Sequence, residues 1–149
     1  MLGPYYNSRA TKISFVVDGE GFFEMACPHI SSSEHSTGGG TGRAFQRVSG
    51  HLRRGTVFVA PAGHPIAAVA SPASNLQVVC FEVGGTGNLR FPLAGRGNVV
   101  SEMDNVAKEL SFGVPVREVE RIFRSQKEEF FFPGPTLQEE HGDDRYAYI

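Results

Sequence analysis

Cys27 and His29 stand two residues apart in the run GEGFFEMACPHISSS, and both are side-chain types that bind metal ions. In an extended strand successive side chains alternate faces. Both would then lie on one face with Phe23 and Met25, while Glu24 points the other way. A thiol and an imidazole side by side among apolar residues are either two buried side chains or two ligands in want of a third. Buried cysteine is common and usually inert, which favours the first reading for this pair alone. His64, in the segment PAGHP between two strand-like runs, shifts the balance. In a small barrel that rim can face the first hairpin. A thiolate with two imidazoles is a borderline-soft donor set suited to copper or zinc.

The remaining reactive side chains invite plainer readings. His35 falls in a Ser/Gly-rich run and His51 beside a basic turn, so both are expected in solvent. Cys80, between Val79 and Phe81, is expected in the core. Arg43, Arg47, Arg53 and Arg54 form a local basic cluster with no aromatic stacking platform, so a solvated surface outweighs nucleic-acid binding. No Ser-His-Asp triad, paired catalytic carboxylates or phosphate loop can be argued, since TGGGTG lacks the preceding strand and following helix such a loop needs.

The elements that must position the site are mostly strands. TKISFVVDGEGFFEMACPH reads as two β-rich runs flanking Asp18-Gly19-Glu20-Gly21, a hairpin signal, with apolar alternation through Ile13, Phe15 and Val17. ISSSEHSTGGGTGRA reads as a flexible linker, centred on 31–43. Strand character resumes at FQRVSGHL, continues through GTVFVAPAGHPIAAVAS as strand, turn and strand, and ends with LQVVCFEV. Short strands joined by Gly, Pro and Asn turns suggest a sandwich or small barrel.

The texture changes at residue 101. Ser101 and Asp104 form a capping-box-like start, and Met103, Val106 and Leu110 recur at helical spacing up to Gly113. Pro115 then opens a second helix with the stripe Val116, Val119, Ile122 and Phe123. The expected organisation is a β unit over 1–100, a helical extension over 101–126 and a charged tail over 127–149. The helical stripes could fold back on the β unit or reach another subunit; periodicity does not separate these.

A length of 149 residues fits one domain, and a formal charge of −2 gives no general attraction to nucleic acid or membranes. No run approaches the ~18–20 apolar residues of a membrane span. The opening MLGPYYNSRATK has neither the basic nor the apolar region of a signal peptide. Eighteen glycines and twelve phenylalanines with no tryptophan lean towards strands and tight turns.

GTVFVAPAG has the form G-x5-P-x-G and resembles the second motif of cupins, antiparallel jelly-roll β-barrels. The first cupin motif fits YYNSRATKISFVVDGEG in frame but not in ligands. Tyr5 and Asn7 stand where its histidines would be, Lys12 where its glutamate would be, and Ile66 at the second-motif histidine. The resemblance therefore implies no oxidase or dioxygenase chemistry. YYNSRATKISFVVDGEGFFEMACPH, PAGHP and NVAKELSFGVP together resemble the C-terminal cupin of vicilin-type seed storage globulins, from about Tyr5 to Pro133.

That resemblance implies a mainly β fold, a cupin jelly-roll barrel followed by a short helical extension. It implies opening strands on another chain segment, an N-terminal cupin segment of the same precursor as partner, and a homotrimer of two-cupin subunits. The helices would pack against neighbouring subunits, and the location would be the seed protein storage vacuole, reached by the secretory pathway. Some vicilins carry the C-P-H and G-H-P set as copper ligands. The expected metal site is therefore copper, with zinc as the alternative, on Cys27, His29 and His64. The fourth ligand stays open among Tyr5, a water and a partner residue. A nutrient reservoir without catalysis is the leading expectation, against a metal- or small-ligand-binding cupin in signalling or defence, or a cupin metalloenzyme.

Overall fold

The computed structural model describes residues 1–28 and 45–135. The 31–43 linker, His29, His35 and the tail beyond 135 lie outside the described residues. The order is β1 (Leu2–Asn7), β2 (Thr11–Cys27), β3 (Gln46–Arg53), β4 (Val57–Ala60), β5 (Ile66–Ala70), β6 (Leu76–Val83), β7 (Arg90–Pro92), α1 (Asn105–Phe112) and α2 (Val116–Phe123). All strand pairs are antiparallel. The fold is mainly β with a short helical pair, as the sequence leads one to expect.

β2 is the spine. Its first half, from Thr11 to Gly19, lies between β4 and β6. Its second half, from Glu20 to Cys27, lies between β3 and β5, and β1 and then β7 continue the sheet beyond β5. Side chains from both halves meet inside: Val16, Leu52 and Ala68 are buried together, with Phe23 and Phe58 stacked at 4.8 Å against them. The sheet is thus curled around its own core.

The hairpin expected at Asp18–Gly21 does not form. The chain runs straight on as one strand of 17 residues, far beyond the ~5–6 residues of an ordinary strand, and bends instead of reversing. The bend sits at Gly19, with φ 85, beside a register shift between Val16 and Asp18. A positive φ serves a bulge as well as a turn. The deciding contact is remote: a Cβ on Gly19 would lie 1.5 Å from the Asn75 carbonyl oxygen. Gly55 has a similar φ of 87 but open space around it. Gly19→Ala should therefore cost about 3 kcal/mol or more, and Gly55→Ala only about 1–2 kcal/mol of backbone strain. Urea titration of the two variants checks this, and equal midpoints would remove the steric explanation.

Alternation in the first half of β2 holds, but the barrel's inner face is Lys12, Ser14 and Val16, all buried. Ile13, Phe15 and Val17 face outward. Ile13 and Phe15 sit in register with Val59 and Val57 of β4 and with Phe81 and Val79 of β6, and Val83 follows opposite Thr11. Of these flanking side chains Phe81 is the most exposed, at 61%. Cys80 shares the inner side of β6 with Ser14, Sγ to Oγ 3.4 Å, yet it is exposed rather than in the core. Among the described residues β6 pairs with β2 alone, so its other edge leaves this side chain uncovered.

In the helical pair, Asp104 itself is the N-cap, its carboxylate accepting from Val106 N at 2.8 Å. Ser101 plays no capping part; it receives the Asn98 side chain and accepts at its carbonyl from Lys108 Nζ. Gly113, with φ 67, ends α1 as expected. Lys108 is buried and donates to Glu120, which also meets Arg124. The Lys108 hydrogen bond holds the Glu120 carboxyl below its ordinary range, with partial desolvation opposing and Arg124 assisting. Val119 is buried within the chain, whereas Val106, Leu110 and Ile122 are exposed, Leu110 at 81%.

Candidate functional site

Cys27 is the last residue of β2, and its neighbour across β5 is fixed by the ladder. Met25 pairs with Ile66, and Ala26 N donates to Pro65 O at 2.9 Å. One further step of the same register sets Cys27 opposite His64. On the other edge Cys27 pairs with Gln46. Cys27 is 2% and His64 6% exposed, so the thiol and the imidazole are both removed from water. Tyr5, Met25, Ala60 and Ile66 complete the buried cluster around the thiol.

The turn that delivers His64 is pinned by its backbone. Gly63, at φ 72, donates to Asn7 O at 2.8 Å, and His64 N donates to Pro61 O at 3.3 Å. His64 Nδ1 lies 2.9 Å from Ala62 O. A carbonyl can only accept, so Nδ1 carries a proton. A hydrogen bond of this kind is what fixes the tautomer and orientation of a metal-binding histidine. Burial pushes the Cys27 thiol up from its ordinary range. It is a neutral thiol unless a cation compensates the desolvated thiolate, and a bound metal does that.

The sequence-predicted residues thus divide. The extended register sets Cys27 and His64 on neighbouring strand ends; His29 lies outside the described residues. Among the described residues no cluster of three or more His, Cys, Asp or Glu side chains exists. The pair fits a soft metal in donor chemistry, with a sulfur and an oriented ring nitrogen. The hydroxyl of Tyr5, a candidate fourth ligand, is already engaged by Lys12 Nζ.

The positions that resemble the usual cupin ligands adjoin this cluster, since Tyr5 and Ile66 belong to it. Tyr5, Asn7, Lys12 and Ile66 are all buried. Lys12 Nζ donates to the Tyr5 hydroxyl and lies 4.7 Å from the centre of its ring, a cation–π distance. Asn7 Oδ1 accepts from Asn88 Nδ2 at 3.2 Å. The Lys12–Tyr5 pair therefore fills the interior at these positions, and among the described residues no ligand set for a metal remains there.

Sequence reasoning missed two asparagines that organise this end of the fold. Asn88 also accepts from Arg9 N and Ala10 N through Oδ1, tying the β1–β2 connection to the β6–β7 turn. Asn98, fully buried, donates to Gly95 O at 2.6 Å and reaches Phe123 O at 2.9 Å, fastening the end of α2. Both sit in Gly/Asn turn runs, which is a signal for a turn but not for a partner so remote in sequence.

The cupin family model matches residues 1–118. The vicilin Cor a 11.0101 of Corylus avellana is 64% identical over 142 residues, 95% of this chain and 30% of that protein. The vicilin Jug r 6.0101 of Juglans regia is 59% identical over 152 aligned residues, again 95% and 30%. The crystal structure of vicilin from hazelnut, Corylus avellana, superposes with a TM-score of 0.80 at 64% identity, covering 91% of this chain and 35% of that one. The chain spans about a third of the length of these relatives.

Proposed function

The chain belongs to the cupin family as a domain of vicilin type, and on that premise we propose that it serves as part of a seed storage globulin, a nutrient reservoir without catalytic activity. The observation that carries the reading is the high identity with vicilins along nearly its whole length. The buried Lys12 ammonium supports it, because it takes the interior position where a cupin enzyme would hold its metal. A reservoir is deposited and then consumed in the seed's storage vacuoles. Antibody quantification should therefore find this protein abundant in vacuole fractions of mature seed and degraded during germination. A constant level through germination would remove the reading.

Two partners belong to this proposal. A second cupin unit of the same precursor covers the outward apolar face of β4, β2 and β6, since such a face is as apolar as a core. Subunits then meet as a homotrimer through the exposed stripe Val106, Leu110 and Ile122.

The metal is proposed on the same footing: copper, with zinc the alternative, held by Cys27, His29 and His64. Bound there, it would supply a stable soft-metal centre rather than a reaction. Cys27 contributes sulfur as thiolate, its proton leaving on binding. Ala62 O keeps the His64 ring turned so that Nε2 is the donor. Cys27→Ser should lower bound metal at least tenfold, while Cys80→Ser should leave it unchanged, as measured by elemental analysis. Equal metal in the parent and the Cys27 variant would leave two buried side chains and no site.

A further inference from the structure

Beyond α2 the chain returns to the barrel at the start of β1. Residues 124–129 are exposed, and Phe130–Phe132 then runs antiparallel to the start of β1. Phe130 O accepts from Gly3 N at 2.7 Å, Phe132 N donates to Met1 O at 2.9 Å, and Met1 N donates to Phe132 O at 2.6 Å. Alternation turns Phe130 and Phe132 inward and leaves Phe131 outside, 73% exposed. The Phe132 ring fills a slot made by two glycines. A Cβ on Gly3 would come within 2.3 Å of it and one on Gly95 within 2.7 Å. Phe130 meets the Tyr5 ring edge-on at 5.6 Å and packs on the buried cluster that contains Cys27.

We propose that this phenylalanine strap is the closing element over the buried cluster that contains Cys27, and that cutting its exposed tether opens that cluster to reagents. The strap is held by a few backbone hydrogen bonds and two rings, and its entry is pinned by Arg96 N donating to Glu128 O at 2.9 Å. Its covalent link runs through 124–129. Of the chain's three lysines, Lys12 and Lys108 are buried and Lys127 is exposed on that tether. A lysine-directed protease therefore finds its one open target in this chain at the strap. The inference rests on the metal reading only for what is released; closure of the thiol stands on the packing itself.

The test is the modification rate of Cys27 by a small thiol reagent, followed on its own peptide by mass spectrometry in the purified, assembled protein. Nicking after Lys127 with a lysine-specific endoprotease should raise that rate at least tenfold with the far-UV circular dichroism kept. Phe130→Ala should do the same without any cut, and Phe131→Ala should leave the rate unchanged. Metal release to a chelator should speed up in the same two forms. An unchanged rate in both the nicked protein and Phe130→Ala overturns the proposal, as does an equal rise in Phe131→Ala. A parent protein devoid of metal would overturn the metal reading instead, with the thiol rates still deciding the strap.

Discussion

Residues 1–149 produced without a companion unit should self-associate at micromolar concentration. The cause is the outer face of β4, β2 and β6. Ile13 lies between Val59 and Phe81, and Phe15 between Val57 and Val79, so the apolar side chains are contiguous across three strands. Fully burying one such side chain is worth about 1.5–3 kcal/mol, and several act together here. The outer edge of β6, which no strand pairs among the described residues, adds the usual template for strand pairing between molecules. LQVVCFEV is apolar on both of its faces, the pattern of a strand covered on both sides. Static light scattering should show large species for the chain alone and a defined complex when the remainder of a vicilin-type subunit is added. Replacing Phe15 and Phe81 with Lys should restore a small, soluble species that no longer captures that companion. A monodisperse parent monomer would refute the covered-face reading.

The same strands show where sequence suffices and where it does not. β3, β5 and β6 were legible because period-two alternation and bounding Gly/Pro turns are local features. So was the end of α1, because Gly113 can take its left-handed conformation where other residues are strained. Asp18-Gly19-Glu20-Gly21 was not, since the same glycine torsion makes a hairpin or a bend. The choice is made by the approach of Asn75, fifty-odd residues away.

Facing was harder still. The apolar residues Ile13, Phe15 and Val17 point out, and polar Lys12 and Ser14 point in, because the interior is wired by Lys12 to Tyr5 and by Ser14 to Cys80. A pattern of hydrophobicity names two faces without saying which neighbour each one meets. For the site, Cys27 and His64 were singled out by strand period and motif together. The strap at the start of β1 was not legible, since FFFP carries no signal that it pairs with a residue 131 positions earlier.

The two helical stripes separate by experiment in the same way. Leu110 and Val119 look alike in sequence, each on an apolar stripe of a short helix, yet one is 81% exposed and the other 2%. Asp at position 110 enters water in the isolated chain and costs the fold almost nothing. In an assembled trimer it would sit in the proposed subunit contact, where an unpaired buried charge costs about 3–5 kcal/mol. Leu110→Asp should therefore abolish the trimer in sedimentation velocity while the melting curve of the β unit is kept. Val119→Asp places the same charge inside the chain. It lies on a helix tied by the Lys108–Glu120 pair and, at its end, by Asn98 on Phe123 O. That variant should lose the helical pair itself, seen as protease sensitivity across 105–123, with the trimer lost as a consequence. An intact trimer in Leu110→Asp would move the subunit contact off these helices. Protection of 105–123 in Val119→Asp would mean that the buried valine is not what holds them.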